Sequence, residues 1–221
     1  MRKVKFEIGK YYHIYNRGVD KRQIFLENKD FLRFLEGMIE FNCSEPVESL
    51  YRLNQLKRRG IAPKALRFGE NRSALGAIIA YCLNPNHYHL LIKQLVKDGI
   101  SKFMQKLNAG YTQYFNKKYG RSGSLFQGPF KAVEVKSDYR LWHISAYING
   151  NAEIHKIVKE AEKWLWSSYP DYLGQRQGKL AEKAIILKNF KNPQQYQKFV
   201  KEVIKEIKQA RQGLKNIYLL E

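Results

Sequence analysis

Cysteine is nearly absent from this chain of 221 residues: Cys43 and Cys82 stand far apart and form no CxxC pair. That excludes a disulfide scaffold and a thiolate zinc site, and it fits a reducing cytoplasm. Negative charge is scarce as well, with 20 acidic residues against 40 Lys and Arg. Long apolar runs are missing: the longest nearly apolar stretch, ALGAIIAYCL from Ala74 to Leu83, is too short to span a bilayer. The opening MRKVKFEIGKYYHIYNRG has no apolar h-region, so neither a membrane partner nor a secretion signal is expected. No GxxxxGK[ST] occurs, which argues against a nucleotide cofactor, and no HExxH occurs, which argues against a helical zinc hydrolase site.

What is present is a foldable, basic chain. Apolar residues make up 44% and aromatics 14%, enough to bury a core. The formal net charge of +20 points to a polyanionic partner, nucleic acid first. KYYHIYNRG (10–18) reads as a strand ending in a turn, and FLENKDFLRFLEGMIEFN (25–42) repeats its apolar residues at helical spacing. GAIIAYCL and HYHLLIK, joined by Asn84-Pro85-Asn86, read as an antiparallel hairpin. Residues 99–120 form an amphipathic helix, a short strand ends near Val135, and Asp138 can open a further helix with Gly150 as a weak point. The pattern predicts an α+β fold: a ferredoxin-like antiparallel sheet with helices packed on it. The expected organisation is one domain over 1–174, with a basic insertion at about 44–73. A helical C-terminal extension over 175–221 follows, with eleven Lys and Arg against four Glu.

Side chains alternate along a strand, so His87 and His89 share one face and Tyr88 points to the other. Two imidazoles on one face can hold one metal ion. Completed by an oxygen ligand, such a pair suits Mg²⁺ or Mn²⁺, with phosphate oxygens filling the open positions. An isolated HxH is more often a pair of satisfied structural histidines, and by itself it names no reaction.

Read with its neighbours, the pair becomes specific. CLNPNHYHLLIK, GISKFMQKLNAGYTQYFNKKYGRSGSLFQGPFK and SAYINGNAE, with YYHIYNRGVDKRQIF before and WSSYPDYLG after, resemble the single-tyrosine HUH transposases, in particular the REP-associated tyrosine transposase subgroup. The resemblance runs from about Tyr11 to Gly174. It implies a nuclease and strand transferase acting on single-stranded DNA beside a hairpin, through a 5′-phosphotyrosine intermediate, in the cytoplasm and associated with the nucleoid. His87 and His89 are the implied ligands of a divalent metal. The family's Tyr-Ile-x-x-Asn-Pro stands here as Tyr147-Ile148-Asn149-Gly150-Asn151-Ala152. Tyr147 is therefore the implied nucleophile and Asn151 the implied third ligand, one helical turn apart. Ala152 replaces the usual proline, and Gly150 predicts a more mobile tyrosine arm.

Further DNA contacts are expected from Arg17 in NRG, Lys131 in GPFK, the run Lys57-Arg58-Arg59, and base stacking on Tyr111 and Tyr114. His13, His143 and His155 show no partner pattern and read as structural. A rolling-circle-type HUH nickase and a domesticated, non-catalytic binder of DNA hairpins or RNA are the alternatives, and a homodimer stays open.

Overall fold

The computed structural model describes residues 4–44, 55 and 73–213. The basic insertion, with Lys57, Arg58 and Arg59, falls outside the described residues. Four strands, β1 (Tyr11–Arg17), β2 (Gly76–Asn84), β3 (His87–Gln94) and β4 (Lys131–Val135), make one antiparallel sheet in the order β2-β3-β1-β4. Helix α1 (Asn28–Glu40) links β1 to β2, and α2 (Gly99–Lys118) links β3 to β4. This is the ferredoxin-like arrangement expected from the sequence. Beyond it lie α3 (Asp138–Asn149), the single turn α4 (Asn151–Ile154) and the long α5 (Pro193–Gly213). No described helix is long and apolar enough to cross a membrane.

Both crossover helices pack on the same face of the sheet. There Tyr88, Leu90 and Ile92 of β3 are fully buried, and Phe34 of α1 and Tyr111 of α2 pack ring against ring. Helix α1 starts in a capping box, with the Asp30 carboxylate accepting from the Leu26 and Glu27 amides at 2.8 and 3.2 Å. Tyr111 is 2% exposed and its hydroxyl donates to the Ile24 carbonyl. That corrects its expected role, because a ring closed in by Phe25, Phe34 and Phe126 cannot stack on a base. Tyr114, half-buried on the same helix, is tied to the Asp30 carboxylate at 3.0 Å, on the face of the sheet away from the histidine pair.

β2 is an edge strand, yet every residue in it is buried. The WLWSSYPDYLG segment explains why. Leu83 N–H donates to the Trp166 carbonyl and Ser168 N–H to the Tyr81 carbonyl, both at 2.9 Å. These bonds cover the unpaired edge that an open sheet would present.

The opposite face holds α3 and α5. Ser137 caps α3, accepting from the Arg140 amide at 3.3 Å, one residue ahead of the expected start at Asp138. Tyr196 of α5 meets Ser145 at 3.1 Å and accepts from Asn149 Nδ2 at 2.8 Å, while Ser168 donates to Asn149 Oδ1 at 2.6 Å. The helix carrying Tyr147 is thus bonded on one side to α5 and on the other to the strip covering β2. Gly150 is buried against Ile204: a Cβ there would lie 2.6 Å from Ile204 Cγ1. The glycine therefore marks a close helix crossing, and the loosened arm inferred from it is replaced by a clamped one. One hydrophobic cluster runs through Tyr196, Val200, Val203 and Ile204 and across the boundary expected near Gly174.

Candidate active site

β1 and β3 pair antiparallel with Tyr15 opposite His89 and Arg17 opposite His87. Paired residues point to the same face, so His13, Tyr15 and Arg17 share the face of the histidine pair. β4 adds Lys131 opposite Tyr15. Together with α3 and α5 these residues wall a cleft of about 600 Å³. Arg17, Lys21, Lys131 and Arg211 line it, and among the described residues none that lines it is acidic. Its field therefore favours an anion.

His87 is held at both ring nitrogens. Nδ1 lies 2.6 Å from Asn86 Oδ1, an atom that only accepts, so the ring proton sits on Nδ1 and Nε2 keeps its lone pair. Nε2 receives Asn84 Nδ2 at 2.8 Å and lies 3.2 Å from Asn151 Oδ1. Asn84 Nδ2 also donates to Asn151 Oδ1. Both lone pairs are thus turned to the Asn84 amide group, which bridges them, and a cation held by the two atoms would take its place. Asn151 Nδ2 is buried without a hydrogen-bond partner among the described residues. One imidazole nitrogen and one amide oxygen converging beside a second imidazole fit a hard divalent cation. Among the described residues no three His, Cys, Asp or Glu side chains form a metal-ligating group, and an asparagine as third donor lies outside that chemistry.

His89 is 6% exposed, and its Nδ1 lies 2.9 Å from His13 Nε2. Burial holds the His89 pKa well below its ordinary value, with the neighbouring His13, His87, His155 and Arg211 pushing the same way. Burial likewise lowers that of His13 to about 4. Both rings are neutral at physiological pH. Tyr147 stands over them, its ring centroid 5.5 Å from that of His89 and 5.9 Å from that of His13. Tyr88 points away into the core, its hydroxyl 2.9 Å from Asn108 Oδ1.

The structure thus brings together His87, His89, Tyr147, Asn151, Arg17 and Lys131 and separates Tyr111 and Tyr114 from them. Arg17 Nε bonds Gln127 Oε1 at 2.5 Å, and Lys131 Nζ lies 5.9 Å from the Tyr15 ring centroid. Gly18 is structural, since a Cβ would sit 2.2 Å from the Arg22 carbonyl oxygen. Sequence reasoning passed over several members of the cleft, Lys21, His13, His155 and Arg211 among them. His13 was visible only in its alternation with Tyr15 and Arg17 along β1. His155 lies against His87 with ring centroids 4.6 Å apart and planes tilted by 59°, and Arg211 of α5 reaches 3.4 Å from His155 Nε2. Neither left a mark in local spacing. Ala152, in place of the family's proline, keeps an N–H that bonds the buried Cys82 sulfur, which proline could not supply.

No curated protein matches the chain. Eight chains of solved structures do. A REP-associated tyrosine transposase bound to a REP hairpin superposes with a TM-score of 0.54 at 15% identity, over 79% of this chain and 86% of that one. The tRNA(His) guanylyltransferase of Saccharomyces cerevisiae aligns over 93% of this chain and 80% of that one at 13% identity, and its TM-score of 0.33 is too low for a shared fold. Residues 71–151 match the family model described as Transposase IS200 like, a span that contains His87, His89, Tyr147 and Asn151. The residues that carry the resemblance read from the sequence thus overlap the span matched by the IS200-like transposase model, and the fold is similar to that of a REP-associated tyrosine transposase.

Proposed function

We propose that this protein cuts and rejoins single-stranded DNA beside a hairpin, with Tyr147 as the nucleophile. The observation that carries the reading is the packing of the Tyr147 ring over His89, in the cleft where His87 Nε2 and Asn151 Oδ1 converge. The hairpin enters from the relative of like fold, which is bound to one. His87, His89 and Asn151 would hold Mg²⁺ or Mn²⁺, which supplies Lewis acidity at the scissile phosphate. The remaining steps belong to the chain. Arg17, Lys21, Lys131 and Arg211 draw in the DNA backbone and offset its charge. The α3 clamp fixes the phenol in line with the phosphate. Tyr147 Oη forms the new P–O bond and loses its proton to solvent, while the bond to the 3′-oxygen breaks and that oxygen takes a proton from solvent to leave as a 3′-hydroxyl. Reversal by a 3′-hydroxyl rejoins the strand without ATP, because the ester bond is conserved at each exchange.

Incubation with hairpin-flanked single-stranded DNA and Mn²⁺ tests this directly. Wild type is expected to give a covalent protein–DNA adduct, lost with EDTA and in Tyr147→Phe. An adduct that survives in Tyr147→Phe removes the nucleophile assignment. Hairpin binding with no adduct on any substrate leaves the non-catalytic binder.

A further inference from the structure

His13 belongs to none of the motifs that identify the cleft, yet its Nε2 lies 2.9 Å from His89 Nδ1, with the rings 5.1 Å apart and tilted by 25°. It sits on β1 diagonally across from His89, whose direct partner is Tyr15, within the reach of a ring on a shared face. Two neutral imidazoles that share one hydrogen bond have two proton arrangements. In one, His89 Nδ1–H donates to His13 Nε2, which leaves His89 Nε2 with a lone pair. In the other, His13 Nε2–H donates to His89 Nδ1. His89 then carries its own proton on Nε2, and neither of its nitrogens can take a cation. The choice of tautomer is therefore the choice between a ligand and a non-ligand.

We propose that His13 is a positioning residue that accepts from His89 Nδ1–H, fixing the tautomer in which His89 Nε2 is turned to a divalent cation. The inference rests on the metal reading of His87, His89 and Asn151. Across the cleft His87 carries the equivalent device, with Asn86 Oδ1 2.6 Å from its Nδ1. Each ligand ring is thus held by an uncharged acceptor, an amide oxygen for one and an imidazole for the other. Ring-holding partners of this kind orient ligands and sharpen metal affinity. A carboxylate would do the same, but His13 is only 9% exposed, and a charge buried there would be costly. A neutral acceptor also leaves the cation's charge undiminished for a phosphate.

Nitrogen-15 NMR of the metal-free protein reads the tautomer without any activity. His89 is expected protonated at Nδ1 and bare at Nε2. A proton on Nε2 overturns the proposal. Calorimetric titration with Mn²⁺ then compares wild type, His13→Gln and His13→Phe, each with its thermal melt. Gln reaches the same place with an acceptor oxygen, whereas Phe fills the volume without one. Phe is expected to weaken Mn²⁺ binding by roughly 10- to 100-fold, and Gln to stay close to wild type. Equal binding by Phe and wild type, or equal weakening by Gln and Phe, overturns the role. Failure of the metal reading looks different. In that case wild type takes up no more Mn²⁺ than His87→Ala, and the purpose assigned to the tautomer falls even where His89 is protonated at Nδ1.

Discussion

Asp30 is a carboxylate with no exposed surface. Burial alone would raise its pKa. Hydrogen bonds from Lys118, Tyr119, the Leu26 amide and Tyr114 outweigh that and hold it below the ordinary value of 3.8. The folded state thus releases this proton more readily than the unfolded chain. Its stabilisation is complete above the ordinary carboxylate pKa and is lost as pH falls from there through the lower folded value. Denaturant melts should show a fall in stability below about pH 4 that is smaller in Asp30→Asn. Lys118→Met, which removes the one cation bonded to Asp30 among the described residues, should cost about 2 kcal/mol at pH 7 in the same assay. His87 and His89 were legible at this scale because alternation with period two needs no knowledge of the fold. His13 was not, since its partner lies 76 residues away and the register of β1 on β3 is written in neither strand alone. Tyr111 failed for a related reason: a helical period shows that a residue shares a face, not that the face meets Phe25, Phe34 and Phe126.

Between elements, the contact that matters most for the cleft is α5 on α3 at Gly150. Adding one methyl at Gly150 places it 2.6 Å from Ile204 Cγ1 and 2.9 Å from Ile204 Cδ1. Gly150→Ala should therefore destabilise by about 1–3 kcal/mol through overpacking, against the usual gain from alanine in a helix. Ile204→Ala alone should cost about 2–5 kcal/mol. The double variant should be more stable than the two costs added, a positive coupling that only direct contact produces. Thermal or urea unfolding of the four proteins closes that cycle. The sequence marked Gly150 as a weak point and the helix does break there, but the cause is the neighbour it admits. Glycine's two uses, freedom and closeness, look the same in a sequence.

At the scale of the molecule, charge and the last helix decide most. Binding of single-stranded DNA should weaken steeply with salt, since each phosphate neutralised contributes a slope of about −0.7 in log K against log salt. The double variant Arg17→Ala, Lys131→Ala should lower that slope by about 1.4 if both side chains meet phosphates. A salt titration with a labelled hairpin strand measures both. Truncation after Gln175 removes Tyr196, Val200, Val203 and Ile204 from the core. At roughly 1.5–3 kcal/mol for each buried side chain, the loss rivals the whole stability of an ordinary domain. Near-UV circular dichroism of the truncated chain should lack fixed aromatic packing. The ferredoxin-like order of elements was readable because each strand and helix carries its own period. The basic tail was not readable as core, because lysines on the outer face of α5 mask the apolar line beneath.

The cleft draws on β1 and on Arg211 of α5, almost the full span of the described chain. The tyrosine helix α3 packs on β2 and β3 and is bonded to α5 through Tyr196, so the cleft is complete only when residues from both ends of the chain have met. A chain grown only as far as Asn151 would carry both histidines and the tyrosine but not the bonds from Tyr196 that hold the tyrosine helix.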